Sequence, residues 1–284
     1  MFYNKKKIKI SLLFHGIEFN NYKADLNKEL FNDIERIKKL ILFLKEKNFK
    51  FVFCNENTNH QKVCSITFDD GYIGINEFNN FSKLEQIPYT LFLNSYNIIN
   101  NVPFIWDLYK HQFKKNFNFL SDNKRIYKEI SIETLNFVRS NLIYNPLSLE
   151  NLYEIDKSSN SRLSLHTHYH QLLMGKFFSK YKEEIDKNKD FLKNFKNTDI
   201  NSIALPYGLY NNKLINRLSL DFKNIYSIDG GTMKNKIIKN RISLINSDLM
   251  PLVDQIEYFL SKKFMIKRYF VNKKYSLISE FINI

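Results

Sequence analysis

The stretch Lys62–Tyr72, KVCSITFDDGY, constrains this chain more than any other. Val63, Ile66 and Phe68 are strand formers, and turn residues bound the run, so it reads as a short buried β-strand. Asp69 and Asp70 follow at its C-terminal end, where α/β folds gather ligands and catalytic groups. Adjacent carboxylates repel one another and lose hydration unless a cation or a hydrogen-bond network receives them. Gly71 lets the chain turn sharply enough to aim both side chains into one cleft. Alone, the motif is equally compatible with an ordinary Asp-Asp-Gly turn.

A second segment narrows the choice. Arg162–Leu173, RLSLHTHYHQLL, carries His166, His168 and His170 within five residues. His166 and His170 stand four apart, so a strand end leading into a helical turn brings both imidazoles to one ion. Two histidines and a carboxylate, with positions left for water and substrate, form a recurrent catalytic metal set. A third segment, Ile203–Tyr210 (IALPYGLY), is another strand ending in a glycine turn.

The rest of the chain alternates strands with helices. Strands are expected at Lys7–Phe14, Lys50–Cys54, Lys62–Phe68, Tyr89–Leu93, Ser202–Leu205, Lys223–Ile228 and Arg241–Leu244. Helices are expected over 25–47, with Asp25 as N-cap, and near 73–86, 174–196, 210–220 and 251–270. This rhythm argues for a mainly parallel sheet with outer helices. Residues 95–160 break it, with helical patches near 105–118 and 131–142, and read as an insertion packed over the sheet or as a lid. Trp106 in PFIWDLY is either a sugar-stacking platform or an ordinary core residue. The length suits one domain over 1–284.

Composition adds two arguments. The net charge of +14 permits nucleic acid, an anionic membrane face or an acidic glycan as partner. Lys, Asn, Ile and Phe are abundant throughout, however, as biased base composition produces, and no nucleic-acid-binding motif is present. The 7 glycines are few against roughly 20 at average usage, and Gly16, Gly71, Gly208, Gly230 and Gly231 all adjoin a candidate site loop. Cys54 and Cys64 lack metal or redox spacing and read as buried free thiols. The N-terminal stretch has no signal-peptide pattern and no apolar run suits a membrane span. The expected location is cytoplasmic, with the basic, apolar segment around Lys262, Lys263, Lys267 and Arg268 a candidate for contact with the anionic inner membrane face.

TFDDGY, then HTxxH, then PYG, in this order, resemble the polysaccharide deacetylases with a NodB homology domain, carbohydrate esterase family four. The motifs span residues 67–208. The resemblance implies a distorted (β/α) barrel of the seven-stranded type with the helical insertion at 95–160. It further implies Asp69 as general base, Asp70, His166 and His170 as ligands to one divalent ion, zinc above others, and Thr167 as a brace for the loop. The backbone N–H of Tyr207, in a turn shaped by Pro206, is implied as a stabiliser of the oxyanion.

Two departures from the family pattern stand out. The position that often carries an arginine bonded to the base is Ala204, and Arg241 is the candidate replacement, since an arginine opening a late strand recurs in related sequences. The C-terminal Leu-x-His motif of the general acid is also absent, for no histidine follows His170. LLFHGI at 12–17 resembles instead the N-terminal histidine motif of the circularly permuted branch that deacetylates poly-N-acetylglucosamine, which makes His15 the candidate acid, with a pKa near 7 expected of it. His168 is expected to point away from the ion. The resulting expectation is a metal-dependent hydrolase removing N-acetyl groups from an amino sugar of a surface polysaccharide or its precursor. A catalytically inactive glycan-binding member of the same fold is the alternative.

Overall fold

The runs IKISLLF, KVCSITF and YTLFL leave almost no polar face, and each becomes a strand buried on both sides, as parallel sheets require. The structure, a computed structural model, describes residues 8–230, 237–246, 250–261, 267–271 and 273–274. Eleven strands occur among these residues. They are β1 (Ile8–Phe14), β2 (Gly16–Glu18), β3 (Phe31–Asp33), β4 (Lys50–Phe51), β5 (Lys62–Asp70), β6 (Tyr89–Leu93), β7 (Ser161–Leu165), β8 (Thr198–Ala204), β9 (Asn224–Ser227), β10 (Ile238–Asn240) and β11 (Ile242–Ser243). The main sheet runs β10-β9-β8-β7-β6-β5-β1-β11, all parallel, with β4 on the lower end of β5 and β2-β3 a separate pair.

The outer strands of that order belong to one short segment. Ile238–Asn240 pairs with β9, and one residue later Leu12 and Leu13 of β1 face Ile242 and Ser243. A single stretch therefore reaches across from β9 to β1 and nearly closes the sheet into the distorted (β/α) barrel. Arg241 sits at the crossing, its backbone N–H donating to Ser227 and its carbonyl accepting from Gly230.

The helices among the described residues include α1 (Ile34–Glu46), α2 (Ile75–Glu85), α3 (Ser95–Asn100), α4 (Ile105–Phe113), α5 (Asn123–Glu129), α6 (Ile132–Ser140), α7 (Leu149–Asp156), α8 (Tyr181–Leu192), α9 (Asn212–Asp221) and α10 (Leu252–Phe259). The helix expected over 25–47 begins only at Ile34. Asp33, not Asp25, caps it by accepting from the Glu35 N–H at 2.8 Å. Asp25 instead receives the Tyr144 hydroxyl, while Leu26 and Leu30 pack into a second apolar cluster. The strand expected over 50–54 shrinks to two residues. The helix expected over 174–196 becomes a 3-10 turn at Gly175–Lys180 followed by α8. Of the helix expected over 251–270, residues 262–266 lie outside those described, and Lys262 and Lys263 with them.

Helices α3 to α7 fill the gap between β6 and β7. They hold their own cluster, in which Phe104, Ile105, Trp106, Leu108 and Val138 pack with Phe31 and Tyr72. No helix among the described residues is long and apolar enough to cross a membrane. Cys54 and Cys64 are buried and free.

Candidate active site

Successive residues of a regular strand point to opposite faces. Asp69 and Asp70, the last two residues of β5, escape that rule because Asp70 has a φ of 73°. The left-handed turn swings its carboxylate to the side of Asp69, and Gly71, with φ 100°, carries the chain on. A Cβ on Gly71 would lie 2.8 Å from Leu93, so the turn needs glycine for space as well as for conformation. Both carboxylates then approach the Nε2 of His166, Asp69 at 3.6 Å and Asp70 at 3.5 Å.

The histidine loop follows β7, and it is not the helical turn that the four-residue spacing suggested. Thr167 has φ 71° and His170 φ 55°. With Asp70 and Tyr207 (φ 60°) these are four of the ten non-glycine residues of positive φ among the described residues; the others are Asn20, Asn27, Asn48, Gln86, Asn101 and Lys114. Asparagine tolerates that region; a β-branched threonine does not, and each such position costs about 1–3 kcal/mol. Strain of this kind persists only where surrounding groups hold it.

Those groups are identifiable. Asn94 donates to the carbonyl of His166 at 2.7 Å, and Asn188 accepts from the His166 N–H at 3.1 Å while donating to Leu93. Asn123, the first residue of α5, donates to the carbonyls of His170 at 2.8 Å and Tyr169 at 3.0 Å. Glu184 on α8 accepts from the Tyr169 N–H at 2.8 Å. Sequence reasoning named none of these four residues. An asparagine in a helical stretch carries no signal until the fold places it against an irregular loop. The Thr167 hydroxyl is buried beside Glu184 without a hydrogen bond of normal geometry.

Asp70, His166 and His170 present ligand atoms within 4.8 Å of one another. The Asp70 Oδ1 lies 3.5 Å from His166 Nε2 and 3.8 Å from His170 Nε2. Donors about 2.0–2.1 Å from a tetrahedral ion stand roughly 3.4 Å apart, so the three fit a divalent cation with little movement. Two further observations agree. Asp70 Oδ1 is buried without a hydrogen-bond partner. His166 Nδ1 lies 3.0 Å from the carbonyl of Ala204, which holds the ring with its other nitrogen toward the cluster. His168 points away and meets Ser95 at 2.8 Å.

The two aspartates are driven apart electrostatically. Burial would raise Asp69, but the adjacent Arg241 guanidinium overrides it and holds the carboxyl below the usual range. Arg241 grips Asp69 with both nitrogens, at 2.6 and 2.8 Å, and is itself fully buried over the ring of Phe92. Asp70 is pushed well above the usual range by burial, then by the charges of Asp69 and Asp107. Burial lowers His166 and, with the neighbouring His166 and His15, His170.

A cavity of about 510 Å³ opens over these groups. His15 lines it from the end of β1; Phe14 faces Phe68 in the β1–β5 register, so His15 comes next to Asp69. Burial lowers the His15 imidazole to about 4, below the value near 7 expected of it. Tyr207 also lines the cavity, from the Pro206–Gly208 turn, its ring 4.5 Å from that of His170. Trp106 is not a free platform. It is 8% exposed, donates to the Tyr72 hydroxyl at 2.6 Å, and packs 4.9 Å from the His170 ring. Tyr72 in turn donates to Asp107 at 2.7 Å. The helical segment between β6 and β7 thus contributes Trp106, Phe117 and Phe119 to the cavity lining.

No curated protein matches the sequence. Among solved structures, the deacetylase PplD of Streptococcus pyogenes, in complex with acetate, is 16% identical with a TM-score of 0.61, covering 89% of this chain and 98% of that one. IcaB from Ammonifex degensii is 14% identical with a TM-score of 0.60, over 90% and 98% of the two chains. A de-N-acetylase from Aggregatibacter actinomycetemcomitans is 13% identical with a TM-score of 0.63, over 89% and 99%. At these identities the likeness is one of fold. The family model described as polysaccharide deacetylase matches residues 56–221, which leaves out His15 and Arg241 but takes in both aspartates, the histidine loop and the Pro206–Gly208 turn. Because that match spans more than half of the sequence, the chain belongs to the polysaccharide deacetylase family.

Proposed function

We propose that the protein is a metal-dependent hydrolase that removes N-acetyl groups from an amino sugar of a surface polysaccharide or of its precursor. The observation that carries this reading is the convergence of Asp70, His166 and His170 beside an aspartate held ionised by Arg241. Asp70, His166 and His170 would hold one divalent ion, and zinc suits a set of imidazoles and a carboxylate. When bound, that ion polarises the acetamide carbonyl and makes water a stronger acid. It also reverses the shift of Asp70, because ligands bind in their deprotonated form.

The remaining steps fall to the chain's own residues. Asp69, ionised and fixed by two hydrogen bonds, takes a proton from the attacking water. The Tyr207 backbone N–H stabilises the oxyanion of the tetrahedral intermediate, a contribution on the order of 3 kcal/mol for one such donor. The amide C–N bond then breaks, the nitrogen needs a proton, and the products are the free amine and acetate. His15 supplies that proton. Its low resting pKa means that it waits as the neutral imidazole. A proton that Asp69 has taken reaches the leaving nitrogen through the adjacent His15, which is cationic only in passage. Trp106 and Tyr207 pack against the His170 ring and keep its rotamer in place.

The test is acetate release from N-acetylated glucosamine oligomers, before and after chelation and after zinc is restored. Activity that disappears with the metal and returns with it supports the proposal. Full activity in chelator rejects the metal. Sugar binding with no acetate release under any metal favours the inactive glycan-binding alternative.

A further inference from the structure

Of the two arginines near the site only Arg268 lines the cavity, and the two differ in how far their donors are committed. Arg241 spends both terminal nitrogens on Asp69. Arg268 enters from the chain's C-terminal side, and its side chain is 14% exposed. Its contact is with Asp229, at 3.5 Å from Nε. That is too long for a charge-assisted hydrogen bond, which lies near 2.7–2.9 Å. Asp229 itself is fixed, since its Oδ2 accepts from Tyr210 at 2.7 Å and from Ser227 at 3.0 Å. The Nε and Nη2 of Arg268 are buried without a hydrogen-bond partner. A buried guanidinium with idle donors is unfavourable on its own and favours any oxyanion that completes its fork.

We propose that Arg268 forms an anion subsite in this cavity, selecting an N-acetylated amino sugar that also carries an acid group, a carboxylate or a phosphate. Among the described residues no lysine lines the cavity, so the charge preference would rest on Arg268. Glu29 lines the cavity as well and repels an acid group, which limits where on the sugar that group can sit. The inference rests on the deacetylase reading for the sugar alone; the charge preference follows from the cavity.

The test uses Trp106, the chain's one tryptophan, which lines the same cavity and reports ligand binding without turnover. The protein is titrated with N-acetylglucosamine, its 1-phosphate and N-acetylglucosaminuronic acid, with acetate release measured in parallel. At least one charged sugar should bind tenfold or more tightly than the neutral one, and the difference between the two charged sugars tells phosphate from carboxylate. In Arg268→Gln the preference should fall to near unity, and Arg268→Lys, which keeps the charge but not the fork, should retain part of it. A thermal melt of each variant shows that it is folded. Equal binding of neutral and charged sugars by the parent protein, no binding of either charged sugar, or a preference unchanged in Arg268→Gln overturns the subsite. Acetate release without charge preference discards the subsite alone. Charge preference without acetate release discards the deacetylase reading alone.

Discussion

Two neighbouring carboxylates with different surroundings should fail differently when changed. Asp69→Asn keeps Asp70, His166 and His170 intact, so zinc should remain bound at stoichiometric level while acetate release falls by about 10²–10⁴-fold, the range for loss of one general base. Asp70→Asn removes a proposed ligand, so metal content after dialysis should fall as well. Equal metal loss in both would show the roles to be exchanged. Arg241 gives a pH prediction. The guanidinium holds Asp69 below the ordinary carboxylate range, so its loss raises that pKa and keeps the base protonated to higher pH. In Arg241→Lys the acid limb of the kcat/KM profile should therefore move toward neutral pH. An acid limb that stays put would separate Asp69 from that titration. Arg241→Ala also leaves a buried carboxylate without its partner and should cost about 3–5 kcal/mol of stability. The residues of the family motifs were legible in the sequence because each lies within a few positions of its neighbours. The Asp69–Arg241 pair spans 172 positions, so only resemblance to related chains suggested it.

The histidine loop owes its shape to side chains from three other elements, and its failure modes belong to those elements. Asn123 starts α5 in the inserted helices and donates to the carbonyls of His170 and Tyr169. Asn123→Ala should lower zinc affinity by about 10–100-fold, the usual effect of losing an outer support of a ligand. Competition with a chromogenic chelator measures it, and unchanged affinity would rule the clamp out. On α8, burial raises Glu184 to about 7. The unfolded chain ionises that group near 4.3–4.5, so between these values the native state binds more protons and stability falls as pH rises. Relative to Glu184→Gln, which keeps an acceptor for the Tyr169 N–H, the parent should lose about 2 kcal/mol between pH 5 and pH 7.5. Urea unfolding at the two pH values checks the sign; a parent that gains on the variant refutes it. Element types were mostly readable from periodicity. Boundaries were not, because Asp25 and Asp33 are both good caps and only the packing of Leu26 and Leu30 into the second cluster decides between them. The left-handed loop was unreadable for a different reason: its conformation comes from contacts with distant asparagines, not from its own residues.

For the molecule as a whole, the decisive feature is the closing of the sheet by the residues around Arg241. The same short segment completes the barrel on both sides and delivers the guanidinium to Asp69. A chain ending at Ile237 should therefore keep helical far-UV dichroism but lose near-UV signal and all hydrolysis. Retained activity in that truncation would place the orienting group elsewhere. The arrangement also sets an order of assembly. Pairings between the two ends of a chain form late, since the loop between them must close first. During synthesis the N-terminal portions emerge first. By the time the Pro206–Gly208 turn has left the ribosome, Asp70, His166 and His170 are all present, whereas Arg241 is still to come. On the proposed function, the three ligand residues of a nascent chain are thus present before Arg241, and competence would arrive only with the last stave of the barrel.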